Sequence, residues 1–230
     1  MRAMLLAAGF GTRLRPLTEN VPKCLVPIRG KPLLEIWLER LTEADIGPLL
    51  INTHYLHQQV ESFITNSKYN NIVKLVREPV LRGTAGTLID NLEFFKGQDG
   101  LLIHADNLCL AQLSAFVFAH QHRPKECLMT MMTFRTETPS NCGIVELDSR
   151  GVVTGFHEKV TSPPGNLANG AVYLLSAEFL SILKQELHTV SDFSNDVLNN
   201  FIGKIYSYET NELFLDIGTP ESYAIANGWI

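Results

Sequence analysis

Apolar residues recur at helical spacing from Leu33 through Leu34, Trp37, Leu38 and Leu41, directly after Pro32, a good first-turn residue. Gly47-Pro48 closes that segment before the short apolar run Leu49-Leu50-Ile51, and an earlier run, Met4-Leu5-Leu6-Ala7-Ala8, reads as a buried strand. Strand, helix and strand make one βαβ unit, and the alternation continues. Val60, Phe63 and Ile64 mark a second helix, Ile72 to Val76 a strand, Leu88, Ile89 and Leu92 a third helix, and Leu101-Leu102-Ile103 another strand. A helix with Leu110, Leu113, Phe116 and Val117 precedes a strand from Leu128 to Phe134. Alternation of this kind predicts an α/β fold with a mostly parallel sheet covered by helices on both faces. The pattern then changes. Gly143 to Leu147 and Val152 to Phe156 flank Asp148-Ser149-Arg150-Gly151, a hairpin signal, and Asn169 to Leu175 gives a further strand, so a small, partly antiparallel lobe is expected. Helices around Phe179, Leu180 and Leu183 and around Val197 and Leu198 follow, with short strands near Ile205 and Phe214.

The segment between the first strand and the first helix fits neither period. From Gly9 to Pro32 it holds five cationic side chains (Arg13, Arg15, Lys23, Arg29, Lys31) against one carboxylate, Glu19, in a chain of net charge −5. That local excess points to a polyanionic ligand. Four prolines (Pro16, Pro22, Pro27, Pro32) prevent a single helix, while Leu14, Leu17, Leu25, Val26 and Ile28 argue against disorder. The result is a pinned, basic loop at the carboxyl end of the first strand, where open α/β sheets bind ligands.

Composition narrows the class. At 230 residues and 45% hydrophobic the chain can bury a full core, and no linker, repeat or charge block divides it, so a single domain over residues 1–230 is expected. No stretch approaches the roughly 20 apolar residues of a membrane span, and no signal-type start is seen, which suggests a soluble, cytoplasmic protein with no membrane partner. Cys24, Cys109, Cys127 and Cys142 are scattered, as suits buried thiols rather than disulfides or a zinc site. Overall acidity argues against nucleic acid, which would want a broad basic face. The histidines, His188 among them, show no metal-binding spacing, and His120 and His122 read as a solvated helix end.

Gly9-Phe10-Gly11-Thr12-Arg13-Leu14 is not a dinucleotide fingerprint: Leu14 stands where the third glycine is needed and Pro16 would interrupt the helix. A Walker A loop is also absent. There remains a turn able to present N–H groups to phosphate oxygens, with Arg13 for paired hydrogen bonds and Lys23 as a movable charge. Taken alone, it also suits an ordinary turn with a solvated arginine. Other residues are similarly two-sided. Asp106 and Asp216 each follow an apolar strand and so should emerge at strand ends, yet Asp106 would also serve as a helix cap and Asp216 in an Asx turn.

The ordered set is more specific. Leu6-Ala7-Ala8-Gly9-Phe10-Gly11-Thr12-Arg13-Leu14-Arg15-Pro16-Leu17-Thr18, with Pro22-Lys23 and Val26-Pro27, resembles the signature of the sugar-1-phosphate nucleotidyltransferases, the nucleotide-sugar pyrophosphorylases, including the mannose-1-phosphate guanylyltransferases. Gly83-Thr84-Ala85-Gly86, Ala105-Asp106, Phe156-His157-Glu158-Lys159, Asn169-Gly170 to Tyr173 and Asp216-Ile217-Gly218-Thr219-Pro220 follow in that family's order, so the resemblance spans nearly the whole chain. It implies the nucleotide-diphospho-sugar transferase fold, a Rossmann-like three-layer α/β/α arrangement with a mixed, mostly parallel sheet and a small antiparallel sugar-binding lobe. It also implies transfer of a nucleotidyl group from an NTP to a sugar 1-phosphate, with release of pyrophosphate.

On this resemblance Arg13, Lys23, Asp106 and Asp216 are the catalytic residues, with Asp106 and Asp216 sharing Mg2+, a hard cation that takes one or two carboxylates plus phosphates and water. Leu6, Ala7, Ala8, Gly9, Gly11, Thr12, Arg13, Glu78, Gly83 and Thr84 are the expected nucleotide contacts. Gly143, Glu158, Lys159, Asn169 and Gly170 are the expected sugar-phosphate contacts. Glu78 hints at GTP, because guanine offers two adjacent donors and a carboxylate two acceptors, but it equally suits a surface ion pair with Arg77 or Arg82. Thr84 could simply cap a helix, and Glu158 and Lys159 could be an exposed pair. Mannose 1-phosphate or a similar hexose or heptose phosphate is the first expectation for the acceptor; uridylyl or thymidylyl transfer, or a silent nucleotide-sugar sensor, is the alternative. Because the chain ends at Ile230, soon after the Asp216 motif, the carboxyl-terminal left-handed β-helix of many larger relatives is not expected. Whether copies associate as a homo-oligomer is left open.

Overall fold

In the computed structural model, which describes residues 1–187 and 189–228, each apolar run becomes an element close to the expected position. The chain order begins β1 (Arg2–Leu6), β2 (Pro27–Ile28), β3 (Lys31–Pro32), α1 (Leu33–Glu43), β4 (Leu49–Thr53), α2 (His57–Thr65) and β5 (Val73–Arg77). Next come α3 (Gly83–Asp90), β6 (Gly100–His104), β7 (Asn107–Cys109), α4 (Leu113–Gln121) and β8 (Met129–Arg135). The order ends β9 (Gly143–Leu147), β10 (Val153–Glu158), β11 (Leu167–Leu175), α5 (Ala177–Glu186), β12 (Ile205–Glu209), β13 (Phe214–Asp216) and α6 (Pro220–Asn227). These elements form two compact units: Met1–Leu81, Ile103–Leu110 and Leu213–Ile230 make the first, Arg82–Leu102 and Ala111–Glu212 the second. His188 lies outside the described residues.

In the first unit β1, β4 and β5 run parallel, with Leu6 opposite Asn52 and Asn52 opposite Val76. Every residue of β4 is buried, which is why it opens on the continuous apolar run Leu49-Leu50-Ile51 rather than an alternation, and its last two residues, Asn52 and Thr53, are buried polar groups. β1 stops at Leu6, two residues before the apolar run does, because the Ala7 N–H donates to the Asn52 side chain at 2.7 Å instead of continuing the ladder.

The basic loop is ordered by packing. It contains three short 3-10 turns, Thr12–Leu14, Leu17–Glu19 and Lys23–Leu25. Leu14, Val26 and Ile28 join Leu33, Leu108, Ile217 and Ala226 in one buried cluster, with Leu17, Val21, Ile36, Leu215 and Tyr223 against it. Burying each such side chain stabilises the loop by about 1.5–3 kcal/mol before chain entropy is subtracted. Gly11 adopts a left-handed φ of +64°, and a Cβ there would lie 3.0 Å from Thr18 Cγ2, so the turn requires glycine twice over. The Thr18 hydroxyl donates to the Gly11 carbonyl at 2.7 Å.

A small antiparallel pair joins β7 to β13, of which the apolar pattern marks only the β13 side; it sets Asp216 opposite Asn107. Trp37 anchors it by donating its indole N–H to the Asn107 carbonyl at 2.8 Å. Just beyond, Thr219 caps α6 in a reciprocal pairing with Ser222.

The second unit is mostly antiparallel. β9 and β10 form the expected hairpin, β11 pairs with β8 and β9, and β12 pairs parallel with β8. Gly151 supplies the left-handed residue of the hairpin turn at φ +77°. Two helices are shorter than their apolar spacing suggests. α3 ends at Asp90, leaving Leu92 in a separate 3-10 turn, and α4 begins at Leu113, leaving Leu110 outside. Val197 closes a π-helical turn, Phe193–Val197, which runs into a 3-10 turn at Leu198–Phe201. Among the described residues, no helix is long and apolar enough to cross a membrane.

Candidate active site

Lys23, Asp106 and Asp216 reach one point in the first unit from three directions. Lys23 opens the last 3-10 turn of the basic loop, Asp106 follows β6, and Asp216 ends β13. The Ile217 N–H donates to the Asp106 carbonyl at 3.1 Å, fixing the two aspartates' backbones beside one another. The Lys23 ammonium lies 2.7 Å from Asp106 Oδ2 and 3.5 Å from Asp216 Oδ1. Arg13 stands 3.7 Å from Asp216 Oδ2. Lys23 is nearly buried, with a side chain 10% exposed, whereas the Arg13 side chain is 66% exposed and has room to turn toward a ligand.

The electrostatics follow from that placement. Burial alone would raise the Asp106 carboxyl, but the Lys23 charge, with His104 and the Lys23 hydrogen bond, outweighs it and holds the group below its ordinary 3.8. Asp106 is therefore ionised at neutral pH. The adjacent Cys24 thiol is pushed up to about 12, chiefly by burial, so it is a packing group and not a nucleophile.

Strand ends in the same unit hold a second polar chain. Asn52, buried at the end of β4, accepts from the Ala7 N–H and donates through Nδ2 to Glu78 Oε1 at 3.0 Å. The His54 ring nitrogen Nδ1 bonds the Glu78 carbonyl at 2.7 Å. Phe10, exposed at the tip of the glycine turn, packs edge-on against His54 with ring centroids 5.3 Å apart.

In the second unit the expected sugar-phosphate residues cluster. Gly143 and Glu158 are register partners across the β9–β10 hairpin, and a Cβ at 143 would sit 2.5 Å from Glu158 Oε2 and 2.6 Å from Phe156 Cζ. Lys159, at φ +49°, pairs with Glu158 at 3.2 Å. Asn169 donates Nδ2–H to the Tyr173 hydroxyl at 2.7 Å and accepts from the Ala171 N–H at 2.9 Å. A register shift in β11 between Asn169 and Tyr173 contains Gly170 and Ala171, the latter at φ +52°. Tyr173 is buried, which raises its phenol and keeps it a neutral partner. Gly83, at φ +75°, leaves no room for a Cβ against the Ser191 carbonyl, and Thr84 accepts from the Phe193 N–H at 2.7 Å.

A family model for nucleotidyl transferases matches residues 2–229. The chain belongs to the nucleotidyl transferase family. Among curated members it is 27% identical over 224 residues to the D-glycero-alpha-D-manno-heptose 1-phosphate guanylyltransferase of Campylobacter jejuni, covering 97% of each chain. It is 29% identical over 227 residues to the mannose-1-phosphate guanylyltransferase of Mycobacterium tuberculosis, covering 96% of this chain and 62% of that one. The chain thus spans less than two thirds of some relatives and nearly all of another. HddC from Yersinia pseudotuberculosis, solved in complex with GMP-PN, superposes with a TM-score of 0.82 at 23% identity over 99% of this chain and 98% of that chain. It shares the fold: a mixed parallel and antiparallel sheet with helices, as expected for this family.

Several expectations require correction. Glu78 is buried, not a surface residue, and Arg82 bonds Asp90. His120 is not a solvated helix end: it is 1% exposed and bonds the Thr130 hydroxyl, while His122 is exposed. Thr84 is not the cap of α3, since Arg82 occupies that position. Of the loop cations with no expected site role, Lys31 pairs with Glu39 of α1 at 2.6 Å. Sequence reasoning misses the parts played by Asn52, His54 and Tyr173. The available signal for Asn52 is a lone amide closing an apolar strand.

Proposed function

We propose that this chain transfers a nucleotidyl group from a nucleoside triphosphate, GTP by preference, to a sugar 1-phosphate, with mannose 1-phosphate or a related hexose or heptose phosphate as acceptor and pyrophosphate as the leaving group. The observation that carries the reading is the Lys23 ammonium held between two carboxylates, with Arg13 at the edge. The guanylyltransferase names of the curated relatives support GTP and a manno-configured acceptor.

An oxygen of one phosphate must attack a phosphorus of another, so like charges must approach. Two unit charges about 4 Å apart interact by about 4 kcal/mol at an effective dielectric near 20, and a few placed cations offset much of that repulsion. Lys23 is pre-positioned to do so, with a side chain only 10% exposed to solvent. Arg13 is proposed to turn from Asp216 to the triphosphate and the departing pyrophosphate. As both cations engage phosphates, Asp106 and Asp216 lose counter-charge.

The same two carboxylates fit Mg2+. They are hard oxygen donors that already share one cation, the Lys23 ammonium, and Mg2+ commonly takes one or two carboxylates and completes its shell with phosphates and water. Asp106 and Asp216 would hold it; when bound, Mg2+ supplies positive charge to the phosphate oxygens. In the second unit Glu158 and Asn169 are proposed to bind sugar hydroxyls and Lys159 the sugar phosphate, Gly143 keeping the space open.

The test is a panel. The protein is incubated with Mg2+, each of GTP, ATP, UTP, CTP and dTTP, and a set of sugar 1-phosphates, and pyrophosphate is measured. Fastest release with GTP and mannose or heptose 1-phosphate is expected. Ligand binding without pyrophosphate from any pair would make the chain a nucleotide-sugar sensor, and faster release with UTP or dTTP would reassign the base.

A further inference from the structure

We infer that Asn52 decides which hydrogen-bonding group residue 78 can present to the base, and is thus a specificity-determining positioning residue; this rests on the proposed reading that Glu78 faces the nucleobase. Asn52 stands where the parallel ladder between β1 and β4 ends, opposite Leu6. The next donor, the Ala7 N–H, bonds Asn52 Oδ1 at 2.7 Å. A backbone N–H has no other role than donor, so it fixes the amide: Oδ1 must face Ala7 and the NH2 must face away. The NH2 is then directed at Glu78 Oε1, 3.0 Å distant. Both residues are buried, Asn52 3% and Glu78 6% exposed, so a mismatched group at either position would meet an opposing dipole without water to relieve it. The Glu78 backbone is held independently, by its N–H to the Thr53 carbonyl at 2.8 Å and by His54 at its own carbonyl.

The consequence is a polarity relay. Backbone donor at Ala7, acceptor then donor at Asn52, acceptor at position 78: only an acceptor satisfies residue 78 on its Asn52 side. With glutamate there, both carboxylate oxygens are acceptors, so any partner of the second oxygen must donate, as guanine does through its N1–H and 2-amino group. A glutamine would be forced to turn its carbonyl to Asn52 and its NH2 outward, presenting a donor and opposing guanine. Replacing Asn52 by aspartate would reverse the relay. One oxygen of the introduced carboxylate would still accept from Ala7, the other would accept from the glutamine NH2, and the glutamine carbonyl would again face the base.

The experiment compares kcat/KM for GTP and UTP, and KM for the sugar 1-phosphate, in wild type, E78Q, N52A and the double variant N52D/E78Q. E78Q is expected to lose at least about tenfold in kcat/KM for GTP, and N52D/E78Q to regain at least about fivefold of that loss, with the sugar-phosphate KM steady throughout. N52A, which keeps Glu78 but removes its Asn52 donor, is expected to raise the GTP KM about tenfold with the sugar-phosphate KM unchanged. Unaltered GTP use by E78Q would overturn the assignment of Glu78 to the base. Loss in E78Q without recovery in a folded N52D/E78Q protein would overturn the relay while leaving that assignment standing. If the double variant does not fold, N52A decides: equal losses toward GTP and sugar phosphate would mean Asn52 is structural only.

Discussion

Around Lys23 the first unit gathers full charges, while Asn169 in the second unit is oriented by neutral hydrogen-bonding groups. The ammonium sits between Asp106 and Asp216 with little solvent access, whereas Asn169 is steered by one hydroxyl, from Tyr173, and one backbone N–H. Charge placed in this way costs desolvation and is held only because opposite charge is adjacent; amide and hydroxyl pairs give direction at lower energy. The contrast matches the roles proposed for the two residues: Lys23 supplies field strength to phosphates, Asn169 orientation to hydroxyls.

Lys23→Ala should produce the largest effect, because it removes the pre-positioned cation and leaves two carboxylates facing each other. A loss of about 10³-fold in kcat for pyrophosphate release is expected in a protein that still shows native circular dichroism. A loss under about tenfold would erase the difference between the two clusters. Gly143→Ala comes next: its Cβ would meet Glu158 Oε2 at 2.5 Å and Phe156 Cζ at 2.6 Å. Denaturant unfolding should show destabilisation of about 1–3 kcal/mol, and no change would mean that the hairpin yields easily.

A smaller change is expected from Tyr173→Phe, which deletes the acceptor for the Asn169 NH2. KM for the sugar phosphate should rise about fivefold and kcat change by less than about twofold in either direction. An effect on kcat alone would place Tyr173 outside sugar binding.

The smallest is a difference in acid sensitivity. His120, buried in the second unit, has its pKa lowered from 6.5, first by desolvation. Its contribution to stability is complete above 6.5 and is lost as pH falls through the lower folded value. Asp106 is lowered from 3.8, so the Lys23 cluster keeps its contribution until pH falls below that value. Hydrogen exchange between about pH 6.5 and about pH 4.5 should therefore show protection falling in α4 and β8 while it persists around Asp106; simultaneous loss in both would contradict the difference.

How much of this could be read from residues alone varies with the range of the contact. The β-α alternation and the β9–β10 hairpin are local patterns, and their positions were legible. So was the emergence of Asp106 and Asp216 at strand ends. What brings those aspartates together was not: Phe214 marks β13, but the three-residue β7 shows no pattern, and the two strands are far apart in the chain. Asn52 was hidden because a single amide at the end of an apolar strand resembles the start of a loop. His120 was misplaced because a polar ring near a helix end suggests solvent, and its burial depends on Thr130 from β8. The basic loop's cations were legible as a group but not individually, since Lys31 is taken up by Glu39 while Lys23 is buried.

Pyrophosphate release by D106N, D216N and the double variant D106N/D216N, measured beside wild type with GTP, a manno-configured sugar 1-phosphate and Mg2+, tests the central claim most directly. If the two carboxylates act as one unit around Lys23, each single variant loses at least about 100-fold in kcat and the double variant loses little more. Near-wild-type turnover in the folded double variant would show that the reaction does not run through this cluster.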